Sequence, residues 1–200
     1  GLDTGRILEV AGTLLWSSGT INLNPLGTGG SGTISVLAGG VLEAQGNNVL
    51  NASGYGDVNS PPPALTVAGT VRKTTGTGTT TLDVPVTSTG TIEVQSGTLS
   101  LAGGGTVSGP LTVSAGATLQ IPADFTFATG TTLPGPGTLL LSSGTLTVSG
   151  PVSAPLYSQT GGTLTGAGPF TIPAGGSGTW SSGTMLGPGT TAVAAGGTLT

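Results

Sequence analysis

Apolar and polar residues alternate along this chain in short runs, each closed by glycine or proline. The clearest series spans residues 90–121. Ile92 and Val94 fall on one face of its first run, with Thr91, Glu93 and Gln95 on the other. The plan repeats with Leu99 and Leu101, then Leu111 and Val113, then Leu119 and Ile121. A period of two residues marks a half-buried strand, because successive side chains on a strand point to opposite sides. No window carries a helical period, and the helix formers Glu, Lys and Gln are scarce. The chain reads as all-β.

The same pattern opens the chain at 6–10, 12–18 and 19–24 and continues at 32–38 and 40–44. There Ile34, Val36 and Val41 are expected inward, with Leu42 a candidate for the same side. Residues 45–63 are irregular and Asn-rich, and their last ten residues, ending in Pro61, Pro62 and Pro63, read as a surface loop. The pattern resumes at 64–71, gives way to a polar Thr/Gly run at 74–81, and leads through Leu82–Val86 into the regular block. After it, Phe125 and Phe127 alternate, Pro134 and Pro136 interrupt, and 138–142 and 145–148 are strands. Residues 151–162 read as a corner or loop before the strands at 163–165 and 170–172.

An internal echo organises the whole. Trp180-Ser181-Ser182-Gly183-Thr184 repeats Trp16-Ser17-Ser18-Gly19-Thr20, with related wording at 141–145 and 94–98. Gly-Thr-apolar units recur every 7 or 8 residues in places (Gly90, Gly97, Gly105; Gly130, Gly137, Gly144). Three units make a turn of roughly 20–25 residues, the scale of a solenoid repeat. About eight turns at the ~4.8 Å spacing of paired strands predict a rod about 40 Å long. The expectation is a single β-solenoid segment over 1–200, with a surface loop near 45–63. A β-sandwich ranks second, since it would want longer strands.

Composition changes this picture little. Glycine (40) and proline (14) exceed a quarter of the 200 residues, a share that can signal disorder. Disorder also needs high charge and low hydrophobicity, whereas charged residues are 5% and mean hydropathy is +0.33. The net charge of −4 and the three basic residues Arg6, Arg72 and Lys73 exclude a phosphate-neutralising stripe, so no nucleic acid is expected as partner. From Phe125 to Thr200 there is no charged side chain, which favours self-association. Without cysteine or histidine the chain lacks disulfides, thiolate metal sites and the commonest catalytic base. No run of about 18 apolar residues is present, so membrane insertion is not expected. The start at Gly1 and the stop inside a Gly-Thr-Leu-Thr unit suggest an excerpt of a longer repeat protein.

Residues 72–121, from Arg72-Lys73-Thr74-Thr75 through Ser96-Gly97-Thr98-Leu99 to Ala115-Gly116-Ala117-Thr118, resemble strand repeats of very large bacterial secreted proteins. Gly178 to Met185 and Ala195 to Leu199 look similar. The wider likeness, over about two thirds of the chain, is to autotransporter passengers and filamentous-haemagglutinin-type adhesins. That resemblance implies a right-handed parallel β-helix at the cell surface. It carries no shared catalytic motif, so it transfers no functional residue.

Candidate chemistry is sparse. The acids are Asp3, Glu9, Glu43, Asp57, Asp83, Glu93 and Asp124, and no two lie closer than six residues. Asp83, Glu93, Arg72 and Lys73 could meet across adjacent turns, which a surface ion pair explains. Gly54-Tyr55-Gly56-Asp57 with Asn47, Asn48, Asn51 and Asn59 hints at a calcium loop but lacks the doubled glycine and tandem repetition. Asn51-Ala52-Ser53 matches the three-residue glycosylation pattern. Trp16 and Trp180 are assigned to the interior, ahead of a role as sugar-stacking platforms, and Tyr55 to the surface. Thr-x-Thr at 145–147, 163–165 and 198–200 suggests an ice-binding plane, but the uneven spacing of 18 and 35 residues speaks for ordinary outward threonine. No catalytic residue, metal site or cofactor is therefore expected. The expected function is a non-enzymatic, secreted or cell-surface structural protein, an adhesin stalk or self-associating filament subunit. The alternative is a glycan-binding or ice-binding surface module.

Overall fold

The structure, a computed structural model, describes residues 2, 5–23, 32–51 and 62–200. Every described regular element is a strand, and every strand pairing is parallel. The chain winds as a β-solenoid with three strands to a coil. Successive coils place their strands on three faces.

The first face is a nine-stranded sheet that begins with Ile7–Val10, Thr33–Val36 and Ala64–Val67 and ends with Thr163–Thr165 and Thr184–Met185. The third face is also nine-stranded, from Thr20–Asn22 to Thr198–Leu199. The stack is thus nine coils, against the about eight expected from coil length. The second face is broken. Five strands run from Thr13–Trp16 to Leu111–Val113, and three more run from Val152–Ser153 to Thr191–Val193. Between them lies Thr132–Pro136, whose Thr132 and Pro134 carbonyls accept from Leu111 and Val113 of the coil below at 2.8 and 3.4 Å around one isolated bridge, Pro110 to Thr132. It pairs with no strand of the coil above. Pro134 and Pro136 have no N–H to give a ladder, which is why this coil lacks its middle strand.

Alternation buries one side of the strands throughout the interior coils. Leu8, Ile34, Leu65, Val86, Gly105, Phe125, Leu146, Leu164 and Met185 are successive register partners and form one inward column of the first face. Each fully buried aliphatic side chain in such a column contributes about 1.5–3 kcal/mol. Gly105 interrupts the column for a reason. Its φ is +132°, and a Cβ there would stand 2.0 Å from the Val86 carbonyl oxygen. Its register partner above is Phe125, whose ring meets Phe127 edge-on at 6.0 Å.

The Ser-Gly-Thr echo marks corners, not coil phase. Gly19 and Gly97 turn the chain onto the third face, whereas Gly144 and Gly183 turn it onto the first. All have positive φ (87°, 62°, 68° and 91°), which glycine adopts without strain.

Three expectations need correction. Val41 lies on the outer side of Val41–Ala44, and Leu42 with Ala44 points inward. The stretch 151–162 is not a plain loop: Val152–Ser153 and Leu156–Gln159 are strands, and Tyr157 and Gln159 are core residues. The Thr/Gly run at 74–81 likewise ends in a strand, Thr79–Asp83. Within the stretch expected to be irregular, Val49–Asn51 joins the third face, while residues 52–61 lie outside the described residues.

Candidate functional site

Two adjacent basic residues on the strand Thr70–Lys73 occupy opposite sides of the wall. Arg72 faces outward between Glu43 below and Glu93 above, its register partners. Its Nε and Nη2 both donate to Glu43 Oε2, at 2.9 and 2.5 Å. The other carboxylate oxygen, Oε1, accepts from Gln45 Nε2 at 2.7 Å and Thr74 Oγ1 at 3.3 Å. The Gln45 hydrogen bond and then the Arg72 guanidinium hold the Glu43 carboxyl below the usual carboxylate range. A group held ionised in this way cannot serve as a proton donor near neutrality. Glu93 accepts from Gln95 Nε2 at 3.2 Å. Asp83 lies on the third face beside Asn51, so it does not join this group.

Lys73 points the other way and is completely buried. Its Nζ donates to the Gly46 carbonyl at 2.6 Å, the Thr75 carbonyl at 3.0 Å and Thr80 Oγ1 at 3.2 Å. Thr80 Oγ1 in turn donates to the Gly46 carbonyl at 2.6 Å. All three ammonium protons are used, so the charge is solvated by the protein. Ala44 below and Val94 above are its neighbours in the inward column. The surface ion pair expected among Asp83, Glu93, Arg72 and Lys73 is instead made by Arg72 with Glu43, and Lys73 takes no part in it. A lysine at an inward position of an alternating run was the available signal.

Below this corner, Trp16 is buried as expected, and Asn48 Nδ2 donates to the Trp16 carbonyl at 2.9 Å. Asn48 thus ties the corner to the strand that ends at Trp16. Tyr55, Asp57, Asn59 and Asp3 fall outside the described residues. Trp180 departs from expectation. It holds an inward register position above Gln159 yet remains 45% exposed, its Nε1 donating to the Gly183 carbonyl at 3.2 Å.

The outer side of the first face carries a feature that sequence spacing concealed. Thr66, Thr87, Thr106, Thr126, Thr147 and Thr165 are register partners on successive coils, an unbroken hydroxyl ladder. Thr145 and Thr163 pair beside its upper end, so two of the three Thr-x-Thr units do sit in register. The third, at 198–200, is on the third face. Coils of unequal length place equivalent residues at unequal sequence intervals.

Neither a protein-family model, a curated protein nor a solved structure matches the chain. Its reading rests on this geometry.

Proposed function

We propose that this chain is a rigid, non-enzymatic rod segment of a secreted or cell-surface protein, an adhesin stalk or a subunit of a self-associating filament. The observation that carries the reading is the unbroken parallel register of two nine-stranded faces around one apolar core. Such a stack is stiff along its axis and presents few loops to proteases. The ionised state of Glu43 and the isolation of the remaining described acids support the non-enzymatic part. The bacterial extracellular setting rests on the repeat style of residues 72–121. Self-association is supported by the absence of any charged side chain from Phe125 to Thr200.

Negative-stain images across a concentration series test this. Rods that lengthen in steps of roughly 40 Å are expected. Particles that stay monodisperse and globular at high concentration overturn the filament version.

One observation favours a second reading, a surface module that engages an ordered neutral ligand: the charge-free threonine ladder. A glycan array and a thermal-hysteresis measurement separate the glycan and ice versions. Silence in both removes this reading and leaves the rod untouched.

A further inference from the structure

Arg72 and Lys73 are two of the three basic residues in the chain, and both reach down to the same short segment of the coil beneath, residues 43–46. We propose that they form a two-sided clasp that sets the register between the second and third coils. Arg72 fastens the outside through Glu43, and Lys73 fastens the inside through Gly46.

The need for such a clasp follows from the fold. Stacked strands with a two-residue period can slip by two residues and still keep apolar side chains inward. A short turn forbids that slip by fixing where the next strand begins. The connection from Asn51 to Ala64 is the longest in sequence between consecutive strands. The clasp lies on the strand that follows it. Among the described residues, Lys73 is the one basic side chain buried in the core, and Glu43 the one acid counted as buried.

A slip would place Lys73 opposite Leu42, leaving an ammonium in an apolar column without its carbonyls. It would also place Arg72 opposite Val41. Both penalties fall on the wrong register and neither on the native one. The remaining joints between the described third and upper coils are made by shorter connections and carry no comparable pair. The methyl of Ala44 leaves the lysine stem space to descend.

The chain has no cysteine, so engineered pairs can report register directly. Thr33→Cys with Ala64→Cys joins native partners on the first face, away from the clasp. Thr33→Cys with Thr66→Cys reads the two-residue slip that sets Lys73 opposite Leu42, and in the native register, where Thr66 pairs with Ser35, its Cα atoms are too far apart to bridge. With the clasp intact, mild oxidation should close the first pair alone. In Arg72→Gln/Lys73→Met the slipped pair should close at least tenfold faster than in the parent. Arg72→Gln alone, at a partly exposed position that tolerates change, should raise the slipped product measurably. Val113→Ala loosens the same inward column two coils above Lys73, without touching the clasp, and should yield the native bridge only. The proposal is overturned if Arg72→Gln leaves the slipped product at the parent level. It is equally overturned if Val113→Ala produces as much of it as the clasp variants.

Discussion

Burial pushes the Lys73 ammonium below its ordinary pKa of 10.5. The unfolded chain then holds this proton more tightly than the folded one, so stability rises with pH between the depressed value and about 10.4. The denaturant midpoint should therefore climb as pH approaches 10, and Lys73→Met should abolish that climb. Above about 10 the buried Tyr157 phenol acts in the opposite sense. Burial raises its pKa, so its contribution is present below the unfolded value and is lost as pH rises further. On the acid side Glu43 is lowered by Gln45 and Arg72. Its contribution is complete above the ordinary glutamate value of about 4.3 and disappears as pH falls through the depressed one. Glu43→Gln should flatten the acid limb of a stability–pH profile measured by chemical denaturation. Core positions obey simpler rules. Leu119 is fully buried in the third-face column, and Leu119→Ala should cost about 2–5 kcal/mol in the same measurement.

Strands are legible in this chain wherever inward residues are apolar and outward ones are threonine. The block 90–121 shows the plan without ambiguity. Legibility fails where chemistry satisfies an inward polar group. Gln159 is buried because its Oε1 accepts from Tyr157 and its Nε2 donates to the Gly162 and Thr184 carbonyls. Tyr157 lies on the same strand and Gly162 just beyond it, but the Thr184 carbonyl arrives from the next coil, which no local pattern reveals. Val41 and Leu42 are adjacent apolar residues, and only pairing decides which faces the core. The threonine ladder was hidden because its register depends on coil lengths that vary. Gly105 tests the packing argument at this scale. Gly105→Ala combines a positive φ with a clash against the Val86 carbonyl and should cost about 1–3 kcal/mol, read as a lowered denaturation midpoint.

The whole molecule is a sum of coils, each contacting its neighbours. Thr145 and Thr163 are register partners, so removing residues 145–162 takes out one coil and rejoins equivalent positions. The shortened chain should fold, with a β-sheet circular dichroism spectrum, and solution scattering should find it shorter by about 5 Å. Trypsin offers a second check. Arg6 is exposed, whereas Arg72 and Lys73 sit in a paired strand, so native protein should be cut at Arg6 first and persist as one large fragment.

The gap in the second face has a mechanical meaning. Backbone hydrogen bonds in such a stack run along its long axis, and a pull on the two ends loads them directly. Most interior levels share that load among three ladders. Between Thr132–Pro136 and the coil above it, two ladders carry it, with no second-face pairing in support. Under tension the rod should yield there before its other interior levels, as a fuse parts ahead of the circuit it protects.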